Sequence, residues 1–324
     1  MKHVCILLPH GAVSVACVEG AVKLFTKVNE FLIAKQELPC FQVKLVASDK
    51  EPRLYDGIFS ISAHYTFEEI FPCDLVILPA VNGDMSTVIE ENASAISWVK
   101  QQHQNGAELA SLCVGAFLLA STGLLKHKRC STHWMAEEQF RGMFPEVILV
   151  SQKIITDEGG LYSSGGANSF WNLLLYLVEK YTSREMAVAS AKFFEIDIGR
   201  QHQNSFIIFR GQKLHQDEPV KKAQEFIESN FQKKISVENL SQMFALGRRS
   251  LERRFKKATS CTVAEYIQRV KIEAAKKSFE TDSRNVNEIM YDVGYNDTKA
   301  FRTVFKRHTG LSPLEYRNKY KQSM

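Results

Sequence analysis

Cys113 lies at the point where an apolar strand pattern changes into a helical one. In AELASLCVGAFLLASTGLL (107–125) the residues before Cys113 indicate a buried strand, and those after it indicate a helix. A thiol at such a junction sits at the carboxyl end of a strand, beside a helix N-terminus that can lower its pKa. Hydrolysis would also need an imidazole base held by a third group, so the thiol alone does not establish a cysteine hydrolase.

Two other segments carry polar groups that could line the same pocket. STHW (131–134) contains His133, which either lines the pocket beside Cys113 or starts a helix, where it would cap the backbone or pack against Trp134. SSGGAN (163–168) predicts a strand-to-helix turn at Gly165 and Gly166, whose free N–H groups could hold an anion or a carbonyl oxygen. Tight packing explains the two glycines equally well, so both alternatives stay open.

Basic side chains gather on two helical patterns near the end of the chain. RRSLERRFKKA (248–258) and TKAFRTVFKRH (298–308) place apolar side chains on one face and Lys and Arg side chains on the other. Each pattern follows a shorter apolar helix and a glycine, which is Gly247 in the first case and Gly294 in the second. A short helix, a turn and a basic second helix form a helix-turn-helix, whose second helix enters the major groove of DNA.

The two helical patterns belong to an internal repeat. Residues 251–271 align with residues 301–321, and the identical pairs are Phe255/Phe305, Lys256/Lys306, Thr259/Thr309, Glu265/Glu315, Tyr266/Tyr316 and Lys271/Lys321. Upstream, Val237 pairs with Val286, so the second copy has one extra residue in a turn. The segment 262–279 joins the copies, and as a helix it spans roughly 27 Å, close to the ~34 Å between successive major-groove faces. The repeat predicts two recognition helices on one side of a duplex.

Charge divides the chain into an acidic part and a basic part. The 324 residues carry a formal net charge of +5, but residues 219–324 hold 22 Lys and Arg against 12 Asp and Glu. RGQKLHQDEP (210–219) is polar, lacks apolar periodicity and ends in proline. We therefore expect a first domain at 1–210, a linker at 211–218, and a domain at 219–324 that binds a polyanion.

Strand and helix patterns alternate through the first domain. Strands are indicated at 4–9, 41–47, 75–80, before Cys113, at 147–151 and at 153–157, and the strongest helix pattern covers 167–181. This order predicts an α/β doubly wound, flavodoxin-like domain, followed by an all-α domain with two helix-turn-helix units.

Residues 219–320 resemble the DNA-binding domain of AraC/XylS-type regulators. The segment VGYNDTKAFRTVFKRHTGLSPLEYR (293–317) carries the second-motif signature of that family almost completely. The resemblance implies that five side chains contact base edges, namely Arg249, Glu252, Arg253, Lys299 and Thr303. It leaves four basic side chains for phosphates, namely Arg248, Lys256, Arg302 and Lys306.

The Cys113 junction resembles the nucleophile elbow of the DJ-1/PfpI and class I glutamine-amidotransferase-like superfamily. Hydrolytic members have a histidine directly after the cysteine, and their usual acid would fall near Ala16 or Cys17, where the closest carboxylate is Glu19. STHW and GRQHQNSF (199–206) resemble segments of regulator-linked, non-enzymatic members. The resemblance implies a ligand-sensing pocket rather than an enzyme, built from Cys113, Val114, His133, Gly165 and Gly166. Oxidation sensing through Cys113 is a further alternative.

These observations predict a transcription regulator that binds promoter DNA and senses an unidentified small molecule through its first domain. The resemblance favours a homodimer and an activator that contacts RNA polymerase, although nothing in the residues decides the direction of regulation. Seven cysteines without a C-x-x-C pair, and the lack of a long apolar run or a signal peptide, favour a cytoplasmic protein without a membrane span, a metal or another cofactor.

Overall fold

In the computed structural model, which describes residues 1–55 and 57–321, the chain divides into two compact units between Gln203 and Asn204. The first unit is α/β and the second is helical, so the predicted fold class is confirmed. The segment 204–218 belongs to the second unit, although the sequence pattern assigns its first seven residues to the first domain. The finer limits of 1–210, 211–218 and 219–324 stay a prediction.

A seven-stranded sheet forms the centre of the first unit. The strands of this unit are β1 (Lys2–Leu7), β2 (Ala12–Val13), β3 (Phe41–Ala47), β4 (Arg53–Tyr55), β5 (Phe59–Ile61), β6 (Tyr65–Thr66), β7 (Leu75–Leu78), β8 (Val81–Asn82), β9 (Glu108–Ser111), β10 (Arg129–Cys130), β11 (Ile148–Leu149), β12 (Ile155–Asp157) and β13 (Leu161–Ser164). The sheet order is β12-β13-β9-β7-β1-β3-β6, and every pairing is parallel except that of β12 with β13. The other strands form two-stranded sheets.

Helices cover this sheet in two groups. They are α1 (Val15–Ala34), α2 (Met85–Glu91), α3 (Ala93–Gln104), α4 (Ala116–Ser121), α5 (Glu137–Met143), α6 (Ser169–Tyr181) and α7 (Arg184–Phe193). Helices α1, α6 and α7 pack against one another, and α2, α3 and α4 form the other group. The central strand β7 is apolar and buried along its whole length, as expected of a parallel strand covered on both faces.

Two strand predictions between 147 and 164 need correction. VILVS forms only the two-residue strand β11, which pairs with β10 outside the main sheet. Strand β13 is missing from the sequence-based prediction, yet it lies between β12 and β9 in the main sheet. Its sequence is LYSS, and buried serines at its end hide the apolar pattern by which a strand is usually found.

The second unit contains the helices α8 (Glu218–Asn230), α9 (Val237–Met243), α10 (Arg248–Thr259), α11 (Val263–Thr281), α12 (Val286–Asp292), α13 (Thr298–Thr309) and α14 (Pro313–Tyr320). Short polar side chains cap most of their N-termini, because the first N–H groups of a helix have no partner within it. Capping side chains come from Asp217, Ser236, Thr262, Asn285, Asp297 and Ser312.

Helix α11 belongs to both helix-turn-helix units. Its first half contributes Val263, Tyr266 and Val270 to the core that contains α8, α9 and α10. Its second half contributes Ile272, Ala275 and Phe279 to the core that contains α12 and α13. The internal repeat therefore extends one helix further upstream than the motif comparison indicates, and α8 matches the second half of α11 through Val220/Ile272, Ala223/Ala275 and Ile227/Phe279.

The two cores repeat the same side-chain geometry. The rings of Phe255 and Tyr266 meet edge to face with centroids 5.2 Å apart, and those of Phe305 and Tyr316 meet in the same way at 5.5 Å. Both tyrosine hydroxyls donate to carboxylates at 2.6 Å, to Glu228 in the first core and to Glu280 in the second. An edge-to-face pair with a satisfied hydroxyl stabilises a core beyond its buried area. The sequence repeat is therefore a structural repeat.

The turns inside the two units use different residues for the same backbone conformation. Gly294 has φ +77, and the matching residue of the first unit is Ala245, with φ 51. Gly247 lies in the first turn as predicted, but it is the N-cap of α10 with φ −63 and is not left-handed. The left-handed residue of the first turn could not be found from the sequence, because an alanine gives no sign of a left-handed conformation.

Candidate DNA interface and sensor pocket

Cys113 occupies a strained backbone position between β9 and α4. Its φ of +56 is left-handed, which L-residues adopt only when the surroundings hold them there. The Cys113 N–H donates to Ser164 Oγ over 3.1 Å, and Thr132 Oγ1 donates to the Cys113 carbonyl oxygen over 3.0 Å. Both partners are buried, so the predicted strand-to-helix elbow exists and is held from two sides.

Gly115 lets the elbow lie close against the neighbouring strand. A Cβ atom there would lie 2.4 Å from the carbonyl oxygen of Leu78 and 2.6 Å from that of Pro79. Both are backbone atoms, which cannot rotate away as a side chain would. The CVGA sequence therefore brings the start of α4 onto the carboxyl end of β7, as expected for a site at that edge of a parallel sheet.

The Cys113 thiol is not prepared as a nucleophile. Its side chain is 7% exposed, and burial, with a smaller effect from Cys17, raises its pKa to about 12. A bond from the Val114 N–H lowers the pKa but does not compensate for burial. The expected lowering by the helix N-terminus is therefore outweighed, and the thiol is neutral at pH 7.

His133 takes the capping role that the sequence left open. Its Nδ1 accepts from the Met135 N–H over 3.1 Å, and its ring lies 5.5 Å from the Trp134 ring. Burial lowers its pKa, which favours the neutral ring. The other side of the ring faces the predicted turn, because a Cβ atom on Gly166 would lie 3.4 Å from His133 Nε2. The structure therefore brings His133 and Gly166 together.

Gln203 accepts a hydrogen bond from one N–H group of the glycine turn. Its Oε1 accepts from the Gly166 N–H over 2.8 Å, and its Nε2 donates to the carbonyl oxygens of Thr132 and Ser151. The Gly165 N–H donates to a backbone carbonyl, and a Cβ atom on Gly165 would lie 2.8 Å from Gln203 Nε2. Close packing thus explains both glycines. Gln203 escaped the sequence reasoning, although it lies in the GRQHQNSF segment noted there.

An open cleft of about 570 Å³ lies at the start of α1. It is lined by Ala12, Val13, Ser14, Val15, Ala16, Glu19, Phe59 and Asn82. The cleft is near the elbow, because strand β8, which contributes Asn82 to the lining, packs against the turn at Cys113–Gly115. The Glu19 carboxylate is exposed and pairs with Lys23 at 2.6 Å. The residues described as lining this cleft therefore do not include the five predicted pocket residues.

Helix α10 presents a basic outer face. Leu251, Phe255 and Thr259 are buried beneath it. Three predicted DNA-contacting side chains, Arg249, Arg253 and Lys256, are exposed. The other two predicted residues of this helix, Arg248 and Glu252, are already paired. Arg248 forms ion pairs with Glu238 and, over 3.3 Å, with Glu252. Exposed pairs of this kind are weak enough to exchange for contacts with DNA.

Arg254 has a structural role that the sequence reasoning missed. Its guanidinium holds the Asp217 carboxylate with two bonds of 2.8 Å, and Asp217 is also the N-cap of α8. The Arg254 guanidinium holds the pKa of Asp217 below its usual range. The repeat could have identified this role. The residue of α13 that matches Arg254 is Val304, and an apolar residue at that position indicates that Arg254 faces inward.

Helix α13 presents a similar face with freer side chains. Phe301, Phe305 and Thr309 are buried beneath it, and Asp297 caps its N-terminus. The four predicted DNA-contacting residues of this helix are all exposed, namely Lys299, Arg302, Thr303 and Lys306. The structure therefore places all nine predicted DNA-contacting residues on the outer sides of two matching helices.

Fold and site together define an α/β sensor-type domain with a thiol elbow, joined to a pair of helix-turn-helix units. A model described as the DJ-1/PfpI family matches residues 3–180, and one described as a helix-turn-helix domain matches residues 240–319. The chain belongs to the DJ-1/PfpI family and carries an AraC-type helix-turn-helix domain, as the sequence predicted.

Several known proteins are similar to this chain. The HTH-type transcriptional regulator GbdR of Pseudomonas aeruginosa is 26% identical over 247 residues, which is 75% of this chain and 66% of GbdR. ArgR, another HTH-type transcriptional regulator of that organism, is 25% identical over 68% of this chain and 67% of its own length. A solved putative transcriptional regulator from Vibrio parahaemolyticus matches 59% of this chain and 98% of its own, with a TM-score of 0.53 and 19% identity. The solved structure supports the fold of the first unit.

The described residues contain neither a membrane-spanning helix nor a cluster of metal-binding side chains. Within 1–55 and 57–321, no helix is long and apolar enough to cross a membrane. Over the same residues, no group of three or more His, Cys, Asp and Glu side chains is arranged to hold a metal ion.

Proposed function

We propose that this protein is a sequence-specific DNA-binding transcription regulator, controlled by a small molecule that binds its DJ-1/PfpI domain. The duplicated basic helix carries this proposal: α10 and α13 lie at matching places in two matching cores, and each turns its Lys and Arg side chains outward. Two such helices, joined by an α11 of roughly 28 Å, suit successive major-groove faces of one duplex.

The proposed contacts divide into two classes. Arg249, Arg253 and Lys299 suit guanine N7 and O6, Glu252 suits cytosine N4, and Thr303 makes a shorter contact to a base edge. Arg248, Lys256, Arg302 and Lys306 hold phosphates and position the helices without reading sequence.

A selection from random duplexes, followed by anisotropy titration at physiological salt, tests DNA recognition. The selected site should bind at least roughly a thousandfold more tightly than random duplex. The matched control is a triple variant on the outer face of α13, Lys299→Ala, Arg302→Ala and Lys306→Ala, which leaves the core unchanged. A selection that enriches no sequence would refute the regulator function.

The proposed effector site is the cleft beside α1, next to the Cys113 elbow. The cleft is large enough for a small metabolite, and it combines apolar side chains with the polar groups of Ser14, Glu19 and Asn82. A thermal-shift screen of metabolites on the full chain tests this, with Ala16→Trp as the variant that fills the cleft. A ligand that stabilises both proteins equally does not bind there.

The neutral, buried Cys113 favours a sensor over an enzyme or a thiol-based redox switch. We further propose that the protein acts as a homodimer in the cytoplasm and activates transcription through contact with RNA polymerase. A dimer doubles the length of DNA that is read, which a single pair of recognition helices leaves short. Sedimentation velocity of the full chain, with and without its selected site, tests the dimer.

A further inference from the structure

A segment of chain in front of α8 is bound along the surface of the second unit. Residues 204–215, called the strap, begin with a short 3-10 turn at Asn204–Phe206 and continue in irregular, extended form. Residues 206, 208 and 210 are exposed, whereas 207, 209 and 211 are half-buried. This alternation is what an extended chain shows when one of its sides lies on a surface.

The start of the strap is fixed to the second helix-turn-helix unit. The Tyr320 hydroxyl in α14 donates to the Ser205 carbonyl oxygen over 3.1 Å. The Lys276 ammonium in α11 donates to the Ile207 carbonyl oxygen. The 3-10 turn also packs against α13, the recognition helix of this unit.

The end of the strap is fixed to the first helix-turn-helix unit. The Phe209 N–H donates to Glu273 Oε2 over 3.1 Å, and the Phe209 ring meets the Tyr266 ring edge to face at 5.1 Å. Gly211 is left-handed with φ +69, and a Cβ atom there would lie 2.4 Å from the Tyr266 hydroxyl oxygen. The strap therefore packs directly on a core tyrosine of the first unit.

Matching buried polar side chains hold the two ends. Gln224 of α8 is 0% exposed and donates to the Gln212 carbonyl oxygen over 2.9 Å. Lys276 of α11 is 4% exposed and donates to the Ile207 carbonyl oxygen. The two residues occupy the same position of the helix repeat, next to Ala223 and Ala275. Burying an amide or an ammonium is costly unless it is hydrogen-bonded. Lys276 also pairs with Glu273 at 2.8 Å and Gln224 also donates to the Tyr266 hydroxyl over 3.2 Å, so the strap carbonyls supply part of the bonding that their burial requires.

The strap is a second connection between the two helix-turn-helix units, which α11 already joins. Gln212 follows Ile207 by five positions in the chain, and an extended chain over five positions covers roughly 17 Å. The residue before the strap is Gln203, whose amide holds the glycine turn at Gly166 in the first compact unit. One peptide bond therefore connects the residue that closes the glycine turn to the strap.

We propose that the strap sets the spacing of the two recognition helices, and that the bond from the Gly166 N–H to Gln203 Oε1 holds the strap in place. Once Gln203 moves, the strap loses its upstream anchor and leaves Lys276, and α11 alone then joins the two units. This regulation rests on the proposed DNA-binding function.

Lys276→Met in the full chain tests the strap on DNA. It keeps the buried aliphatic stem and removes the bond to Ile207 together with the ion pair to Glu273, whereas Lys277→Met removes the same charge from an exposed neighbour. Each protein is titrated with the selected site and with duplexes in which the two contact regions lie one base pair nearer or farther. Wild type and Lys277→Met should lose at least tenfold in affinity on respaced duplexes, and Lys276→Met threefold or less. A tenfold loss for Lys276→Met overturns the spacing role.

Hydrogen exchange without DNA tests the link to Gln203. Gln203→Ala should speed exchange of the Phe209 amide at least tenfold, and His202→Ala, at an exposed neighbour, should leave it unchanged. Unchanged exchange in Gln203→Ala overturns the link. If wild type selects no DNA site, the proposed function fails while the exchange result still decides the strap. Should Lys276→Met fail to fold, Tyr320→Phe removes the Ser205 bond without a change of charge.

Discussion

Gly294→Ala should destabilise the second helix-turn-helix unit far more than the same change at Gly310. Both glycines are left-handed, with φ +77 and +76. A Cβ atom on Gly294 would lie 2.3 Å from the Gln232 carbonyl oxygen and 2.7 Å from Lys271 Nζ, whereas on Gly310 the nearest atom is 3.9 Å away. Gly310→Ala thus adds only backbone strain, and Gly294→Ala adds strain and a clash with backbone.

The expected free energies follow from these distances. A left-handed alanine costs about 1 kcal/mol relative to glycine. Overpacking against atoms that cannot rotate away adds about 2 kcal/mol, for a total of about 3 kcal/mol at Gly294. For a helical unit of this size, about 1 kcal/mol lowers the melting temperature by roughly 4 °C. The melting temperature should therefore fall by roughly 4 °C in Gly310→Ala and roughly 12 °C in Gly294→Ala.

Differential scanning calorimetry of the full chain measures these shifts. Hydrogen exchange of the α13 amides during heating identifies the transition that belongs to the helical unit. The α/β unit of residues 1–203, which neither variant touches, is the internal control and should melt at its wild-type temperature. Equal shifts in the two variants would show that the turn relaxes around a new Cβ atom, and the packing argument would then be wrong.

Three further predictions concern DNA reading, pH and the thiol. Lys299→Ala should relax preference at one or two base positions, whereas Lys306→Ala should weaken binding to all sequences equally; titration against single-base variants of the selected site separates them. Asp217→Asn should lower stability at pH 7 and have little effect at a pH well below 3.8, because Arg254 depresses the folded pKa of this carboxyl below 3.8 and its contribution is lost as pH falls through that lower pKa. Denaturant titrations at both values measure it, and equal losses would contradict the ion-pair role. Cys113 should react with iodoacetamide at pH 7 at least a hundredfold more slowly than free cysteine, because burial keeps it protonated. Mass spectrometry of the Cys113 peptide follows the rate, and a rate near that of free cysteine would restore the nucleophile interpretation.

Local periodicity explains why the helix-turn-helix units could be predicted closely. Helices α10 and α13 bury Phe255 and Phe305 and expose their basic side chains, as the 3.6-residue pattern requires. The elbow at Cys113 was also predictable, because an apolar strand runs directly into a helix there. Such patterns depend on residues close in sequence, and no distant partner is needed to read them.

Long-range pairing explains most of what was missed. Gln203 closes the glycine turn from 37 residues away, and Arg254 reaches Asp217 across the same separation. A polar residue that bonds a distant backbone group has no periodic signal around it. The sequence assigned the first part of the strap to the α/β domain and the part from 211 on to a polar, aperiodic linker, yet its carbonyl oxygens bond buried Lys276 and Gln224.

The sequence by itself determined that this chain pairs an α/β DJ-1/PfpI domain with a duplicated, basic helical domain. Periodicity, charge and the repeat are properties of neighbouring residues, so they survive without a structure. Only the tertiary structure decided that Cys113 is buried and neutral, that Gln203 occupies the turn a ligand was expected to use, and that α11 serves both helical cores. Each of these depends on which distant groups exclude water from a residue or share a hydrogen bond with it.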